Sequence, residues 1–271
     1  GKYEASLKDA EEALQLAESD SELQSHYAEA LRMKGLNLYR LGQSRRAIEE
    51  FEHSLSLYTE LKETASIPIL LLETGMVHLA IGDIDSAKTS YQEALKIWRE
   101  EKKLYYQAEI LNNLAVLYHQ IGEYELASET FEDGLRCARK SRNLRTESVI
   151  LTGLGDLYSE IEEFEAAAQA YEQAEAIAGR LPGFFISNYL VLARANLALL
   201  QGDLETASRI LRSFRKQLKT NPSAYERGLW ALMDGRNHLL EHETKKAVSP
   251  LQEGKDCFVQ DGRQSESQWC M

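Results

Sequence analysis

The chain has 271 residues, 44% of them broadly apolar and 27% charged, proportions of a globular protein that exclude disordered and membrane-embedded classes. Its 31 basic residues stand against 43 acidic ones, a net charge of −12. Nucleic-acid affinity comes largely from lysine and arginine neutralising phosphates, so this balance argues against DNA or RNA as the main partner. Three cysteines are too few for a disulfide scaffold, and the odd number leaves at least one thiol free, which fits a reducing, cytoplasmic home. No apolar run approaches the roughly 18 residues of a membrane span and no signal-peptide core occurs, so no membrane partner is expected. Length alone allows one large domain or two modest ones.

With only 4 Pro and 16 Gly, the chain is expected to be mostly helix. The first segment, Gly1-Lys2-Tyr3-Glu4 through Leu14, reads as the second helix of an earlier repeat with Gly1 in the place of a turn glycine, and the opening Gly suggests an excised fragment. From there Gly42, Gly82, Gly122 and Gly202 fall on a 40-residue grid, with Glu162 and His242 on it where glycine is missing. Five residues after each grid point stands alanine: Ala47, Ala87, Ala127, Ala167, Ala207 and Ala247. Nine after comes a large apolar side chain: Phe51, Tyr91, Phe131, Tyr171, Leu211 and Leu251. Seven before stands a small one: Gly35, Gly75, Ala115, Gly155, Ala195 and Gly235.

Between small residue and grid glycine the apolar residues recur at helical spacing, as in Leu111, Leu114, Leu117, Tyr118 and Ile121. The glycine supplies the left-handed conformation that ends a helix. Asp83, Glu123 and Asp203 then place negative charge at the start of the next helix, where the macrodipole favours it. The small columns let two helices approach closely, and the large side chain fills the gap beside them. Each repeat is therefore an antiparallel pair, helix A then helix B, of roughly 15 residues per helix. Such a pair cannot cover its own apolar faces and must stack on its neighbours. The expected units form a single array over 1–271: 1–22 (partial), 23–62, 63–102, 103–142, 143–182, 183–222, 223–262 and 263–271 (partial). Ser265 to Met271 falls where a seventh helix A would begin. In the sixth pair Pro250 lies inside the expected helix B, where it removes a backbone hydrogen bond and crowds the carbonyl of Lys246. That helix is expected either to kink or to begin near Ser249, and this repeat should be the weakest.

The best single unit is Asn113-Leu114-Ala115 through Tyr118, then Ile121-Gly122-Glu123-Tyr124-Glu125-Leu126-Ala127, then Phe131 and Gly134. It resembles the tetratricopeptide repeat (TPR) family, and the resemblance covers nearly the whole chain. It implies an all-α fold, a right-handed superhelical solenoid of antiparallel helix pairs. The family's usual unit is about 34 residues, so a 40-residue unit carries about a turn and a half more helix. Longer units of this kind are seen in bacterial regulator arrays similar to MalT and in animal arrays that organise polarity complexes. HEAT and armadillo repeats lack the Gly turn followed by Ala, and the acidic balance disfavours pentatricopeptide RNA readers.

In the family, chosen helix A positions line a concave groove. Carried over by register, these are Arg32, Met33, Leu36 and Tyr39 in the first full repeat, Leu72, Glu73 and Met76 in the second, and Asn112, Asn113, Val116 and His119 in the third. The fourth gives Thr152 and Asp156, the fifth Asn196 and the sixth Arg236. The same register passes through Leu192, Leu199, Leu229, Leu232, Leu239 and Leu240, which fit either groove or core. The Lys, Asn and Arg set with which chaperone-binding members grip a peptide carboxylate is missing. A mixture of apolar and amide groups suits an amphipathic helix or an extended segment of a partner.

Two strings look enzymatic. His238-Leu239-Leu240-Glu241-His242 matches the H-x-x-E-H zinc pattern, but His242 falls in the turn and His238 shares a packing column with Leu38, His78, Tyr118, Tyr158 and Ala198. Gly153-Leu154-Gly155 lacks the third glycine of a dinucleotide loop. No catalytic residue, metal or cofactor is expected. Cys137 and Cys257 share a column with Leu57, Ile97 and Ile177, so both are expected to pack as small hydrophobes, too far apart to bond. Two basic clusters stand out: Arg209, Arg212, Lys216 and Lys219 with Arg215 nearby, and Arg136, Arg139, Lys140, Arg142 and Arg145. Each is either a solvated face or a dock for an acidic partner or another domain of the parent protein. The chain is thus expected to be a non-enzymatic arm that binds a protein or peptide, similar to the sensor arrays of MalT-like transcriptional regulators. A small-molecule effector receptor and a constitutive scaffold are the alternatives.

Overall fold

A computed structural model of the chain describes residues 2–17, 20–181, 186–217, 223–260, 268 and 270. Gly1, Lys219 and most of the segment from Ser265 to Met271 lie outside the described residues. The described residues hold helices and no strand: α1 (Lys2–Ala17), α2 (Gln24–Arg40), α3 (Ser44–Glu60), α4 (Ile67–Ala80), α5 (Ile84–Glu100), α6 (Leu104–Gln120), α7 (Tyr124–Ser141), α8 (Leu144–Glu160), α9 (Phe164–Ala178), α10 (Ile186–Leu200), α11 (Leu204–Gln217), α12 (Ala224–Leu240) and α13 (Thr244–Gln260). The fold is all-α and TPR-like. The chain divides into two compact units, residues 1–143 and 144–271. The first holds α1 and the pairs α2/α3, α4/α5 and α6/α7; the second holds α8/α9, α10/α11 and α12/α13. Within each unit every helix A touches the next helix A, and each helix B packs on the helix A that follows it.

The small and large columns are two sides of one contact. A Cβ added at Gly35 would lie 2.6 Å from the Phe51 ring, at Gly75 2.5 Å from Tyr91, at Gly155 2.4 Å from Tyr171, and at Gly235 2.6 Å from the Leu251 side chain. The large residue therefore presses on the helix A backbone itself, through the space a side chain would fill. Alanine in the column five after the grid is almost completely buried in all six pairs.

A second contact, two turns further back on helix A, is also built of small residues. Ser54 Oγ donates to the Ala28 carbonyl at 2.7 Å, and Ser148 Oγ to that of Ala174 at 3.0 Å. The same columns pair Pro68 with Ala94, Ala108 with Gly134 and Gly228 with Gly254, all buried. The fifth pair departs from the pattern: Asn188 is exposed and donates to Glu226, while Phe214 fills the core.

One turn recurs throughout. After α2, Gly42 is left-handed (φ 76°), its N–H reaches the Tyr39 carbonyl, and the N–H of Gln43 reaches that of Leu38, which is the Schellman arrangement. Gly82, Gly122 and Gly202 repeat it, and so do Glu162 (φ 63°) and His242 (φ 61°). Three B-to-A turns, after α3, α5 and α7, use it too, with Lys62, Lys102 and Arg142 left-handed at φ 60°, 57° and 55°, whereas α9 ends at Gly179 with φ −62°. The residue after each grid point is also the N-cap of helix B. Asp83 and Asp203 accept from the N–H of Ser86 and Thr206, whereas Glu123 makes no such bond.

The sixth pair corrects one expectation. Helix α13 starts at Thr244 like its siblings, with Pro250 inside it, and does not begin near Ser249. The first backbone bonds form, Ala247 N–H reaching the Glu243 carbonyl at 3.2 Å, while position 250 has no N–H to give. Leu251 still reaches the Gly235 column, so the packing holds the helix across the proline.

Two measurements check this account. Gly155→Ala is expected to cost roughly 1–3 kcal/mol in chemical denaturation, because the Tyr171 hydroxyl is anchored on Asp156 at 2.7 Å and the ring cannot retreat. The double variant with Tyr171→Leu recreates the Ala195/Leu211 pairing of the fifth repeat and should be less destabilised than the sum of the singles by about 0.5 kcal/mol or more; strict additivity would remove the contact from the explanation. Amides of α13 should exchange faster than those of α7, and equal protection would show that the proline and the strained turn cost nothing.

Candidate functional site

In the first unit, the positions taken from helix A by register form one partly exposed surface. Arg32, Leu36 and Tyr39 of α2, Leu72, Glu73 and Met76 of α4, and Asn112, Asn113, Val116 and His119 of α6 are all half-buried, and Met33 is exposed. The intervening Leu31, Leu70, Leu71, Ile110 and Leu111 are buried. Two of the polar groups hold each other. Arg32 donates to Glu73 of the next helix A at 2.5 Å and to both carboxylate oxygens of Glu29, at 2.6 and 2.9 Å. Tyr58 of α3 also donates to Glu29, at 3.0 Å, and burial together with that carboxylate pushes its phenol up to about 12. Burial raises the Glu73 carboxyl, with Arg32 opposing. The second carboxylate oxygen of Glu73 has no hydrogen-bond partner. Arg32 and Glu73 thus join α2 to α4, a link that sequence register alone does not give.

In the second unit the transferred positions divide. Thr152 is 3% exposed and donates to the Ser148 carbonyl, so it belongs to the packing. Asp156 accepts from Tyr171 at 2.7 Å and from Tyr189 of the next helix A at 2.8 Å. Burial and the Asp156 charge push both phenols upward. Asn196 is half-buried and Arg236 is exposed. Leu192, Leu199, Leu229 and Leu232 are core, while Leu239 and Leu240 are exposed.

The H-x-x-E-H string does not bring its two imidazoles together. His242 is exposed in the turn. His238 Nδ1 lies 3.0 Å from Glu243 Oε2 and 3.5 Å from Glu241 Oε2. His238, Glu241 and Glu243 offer ligand atoms within 4.8 Å of one another. The second repeat explains this closeness without an ion: His78 Nδ1 lies 3.3 Å from Asp83. In both repeats the acidic residue's N–H bonds the histidine's own carbonyl across the turn. Lys246 and then His238 hold the Glu243 carboxyl below the usual range, so that carboxylate is already committed. Cys257 and Cys270 are buried, Cys137 is half-buried, and all three are free.

These observations define the class: a TPR-type array of helix pairs whose polar clusters stitch helix to helix. The sequence matches the family described as the MalT-like TPR region over residues 28–253, and the chain belongs to that family. Among curated proteins none matches the sequence. Among solved structures, the chain is similar to BtubC (BKLC) from P. vanneervenii, with 19% identity over 82% of this chain and 94% of that one and a TM-score of 0.69. It is similar to the apo form of RapI, with 18% identity over 90% and 94% and a TM-score of 0.71. A Rap protein complexed with competence and sporulation factor gives 13% identity over 97% and 76% and a TM-score of 0.67. At these identities the likeness is one of fold.

If His238 and Glu243 are a turn contact, stoichiometric zinc should leave the melting temperature unchanged, and His238→Ala with His242→Ala should retain no less metal than the parent. Zinc bound one to one in the purified protein, and lost on that substitution, would make the cluster a metal site.

Proposed function

We propose that the chain is a non-enzymatic binding arm that takes a protein or peptide segment on its helix A face. The observation that carries this is the surface of α2, α4 and α6, where Met33, Leu36, Tyr39, Met76 and Val116 stand half-buried or exposed beside Asn112, Asn113 and His119. Apolar and amide groups side by side suit an amphipathic helix or an extended segment. The Rap protein complexed with competence and sporulation factor shares the fold, which supports reading this face as one that takes a polypeptide or factor. Membership of the MalT-like TPR region supports a role as the sensor arm of a larger transcriptional regulator or signalling protein. No described helix is long and apolar enough to cross a membrane, consistent with a cytoplasmic regulator.

Short peptides selected by display on the purified chain should bind, and Met76→Glu and Val116→Glu should each weaken them about tenfold, roughly 1.4 kcal/mol, without lowering the melting temperature. Binders indifferent to both substitutions would point to a scaffold using another face. A metabolite that stabilises the chain while no peptide binds would make it a small-molecule receptor.

A further inference from the structure

We propose that the exposed face of α11 is a second docking surface, for an acidic segment of a protein. Four cations, Arg209, Arg212, Arg215 and Lys216, fall within this one helix, all exposed, and Glu205 is its only acidic residue. Arg209, Arg212 and Lys216 share a stripe that rises about 10 Å along the helix.

None of the four forms an ion pair with a carboxylate among the described residues. Arg209 donates to Thr206 Oγ1 at 3.4 Å, and Arg212 Nε to the Ser208 carbonyl at 3.1 Å. The Arg215 guanidinium lies over the Trp230 ring, 5.2 Å from its centre, and its charge reaches Asp234, opposing the upward push of burial on that carboxyl. Some exposed cations of this acid-rich chain are paired, Arg136 with Asp133, Arg194 with Glu175, Lys246 with Glu243 and Lys8 with Glu12. Others, such as Arg45 and Lys245, are exposed without an ion pair among the described residues; what sets α11 apart is that four cations gather on one helix. The contrast with Arg136 matters, since it belongs to the other basic cluster of the sequence. Like charges one turn apart repel, and the helix macrodipole offsets this only in the last turn, where Arg215 and Lys216 stand. The charge of Arg209 likewise reaches Asp203, and neither that carboxylate nor Asp234 closes to an ion pair with these cations.

The cations are also partly ordered. Trp230 is 5% exposed, and its Nε1 donates to the Leu211 carbonyl at 3.1 Å, so the platform under Arg215 is fixed. Arg212 is tethered through Nε, which leaves both terminal amino groups for a ligand. Groups held before binding lose less freedom on binding. Planar guanidinium groups take carboxylates in paired hydrogen bonds, and the stripe matches a segment carrying several carboxylates over about 10 Å. Duplex nucleic acid fits less well, because affinity there comes from neutralising many phosphates and the chain as a whole carries a net charge of −12. A membrane fits less well too, since Leu211 and Phe214 of this helix are buried and not available for insertion.

The test uses fluorescein-labelled hexaglutamate and the whole chain, followed by anisotropy at low and physiological salt. Saturable one-to-one binding is expected, with Arg209→Glu plus Arg212→Glu weakening it about tenfold or more and Arg136→Gln changing it less than about twofold. The pair Arg209→Gln plus Arg212→Gln gives a milder loss and covers misfolding of the reversed variant, which a thermal melt would report. Absence of binding, or binding indifferent to the α11 substitutions, would overturn the proposal. So would a single-stranded DNA of equal charge, or phosphatidylserine vesicles, bound about tenfold more tightly than the peptide. Because the substitutions lie on α11 and not on the helix A face, this result stands apart from the test of that face.

Discussion

The constraint on which this protein rests is a missing side chain. Where helix A meets helix B, Gly35, Gly75 and Gly155 leave room for one aromatic ring each, and a single added carbon would stand 2.4–2.6 Å from that ring. Close-packed interiors cannot absorb such an overlap without moving a backbone. The partners vary within the small-to-large rule: Ala195 and Gly235 face Leu211 and Leu251, while Ala115 faces Phe131. The large residue is then buried in five of the pairs, with Phe51, Tyr91, Phe131 and Tyr171 at 0–2% exposure and Leu211 at 1%, and half-buried in the sixth, at Leu251. What remains apolar on the outer faces drives stacking on the next pair.

Through α7 the backbone repeats twice as often as the side chains do. The same left-handed turn closes the A helices and, at Lys62, Lys102 and Arg142, the B helices α3, α5 and α7, so this stretch has a 20-residue conformational period within a 40-residue chemical one; α9 departs, ending at Gly179 with φ −62°. A non-glycine residue held left-handed costs on the order of 1 kcal/mol, yet Lys62, Lys102, Arg142, Glu162 and His242 all accept it. The two hydrogen bonds of the turn satisfy carbonyls that a helix end otherwise leaves open. Helix packing on both sides fixes the geometry, and the turn residue follows. Glycine eases the turn without being required by it.

That difference explains what was legible in advance. The grid glycines, the alanine column and the small-to-large contact are chemical signals, and they fix fold class and register. The three left-handed B-to-A turns carry no such signal, because lysine and arginine are not turn formers and only packing forces them left-handed. The second contact is readable afterwards as Ala28/Ser54, Ala108/Gly134 and Gly228/Gly254, but the Asn188/Phe214 exception and the spread over Ser, Ala, Pro and Gly hide it. The candidate face was legible in the first unit, where register predicts exposure well. In the second, Thr152, Leu192 and Leu229 are buried, because apolar content there is high enough that the core reaches around the helix. The Arg32–Glu73 and Asp156–Tyr189 links were not legible, since each joins helices about one full repeat apart.

The two small contacts also decide which part of helix A stays exposed. They lie seven residues apart on it, at Ala28 and Gly35 in α2 and at Ala108 and Ala115 in α6, and at about 100° per residue both face helix B. The column Met33, Glu73 and Asn113 then falls well over 90° away, on the side turned from helix B, while Leu36, Met76 and Val116 fall at about 90° and Tyr39 and His119 nearer helix B. A shorter helix with one crossing could roll about that point and blur the division. Two crossings forbid the roll, so the same residues stay exposed from repeat to repeat within the unit. The extra length of these repeats therefore does more than enlarge the core: it fixes the orientation of the surface that the chain offers.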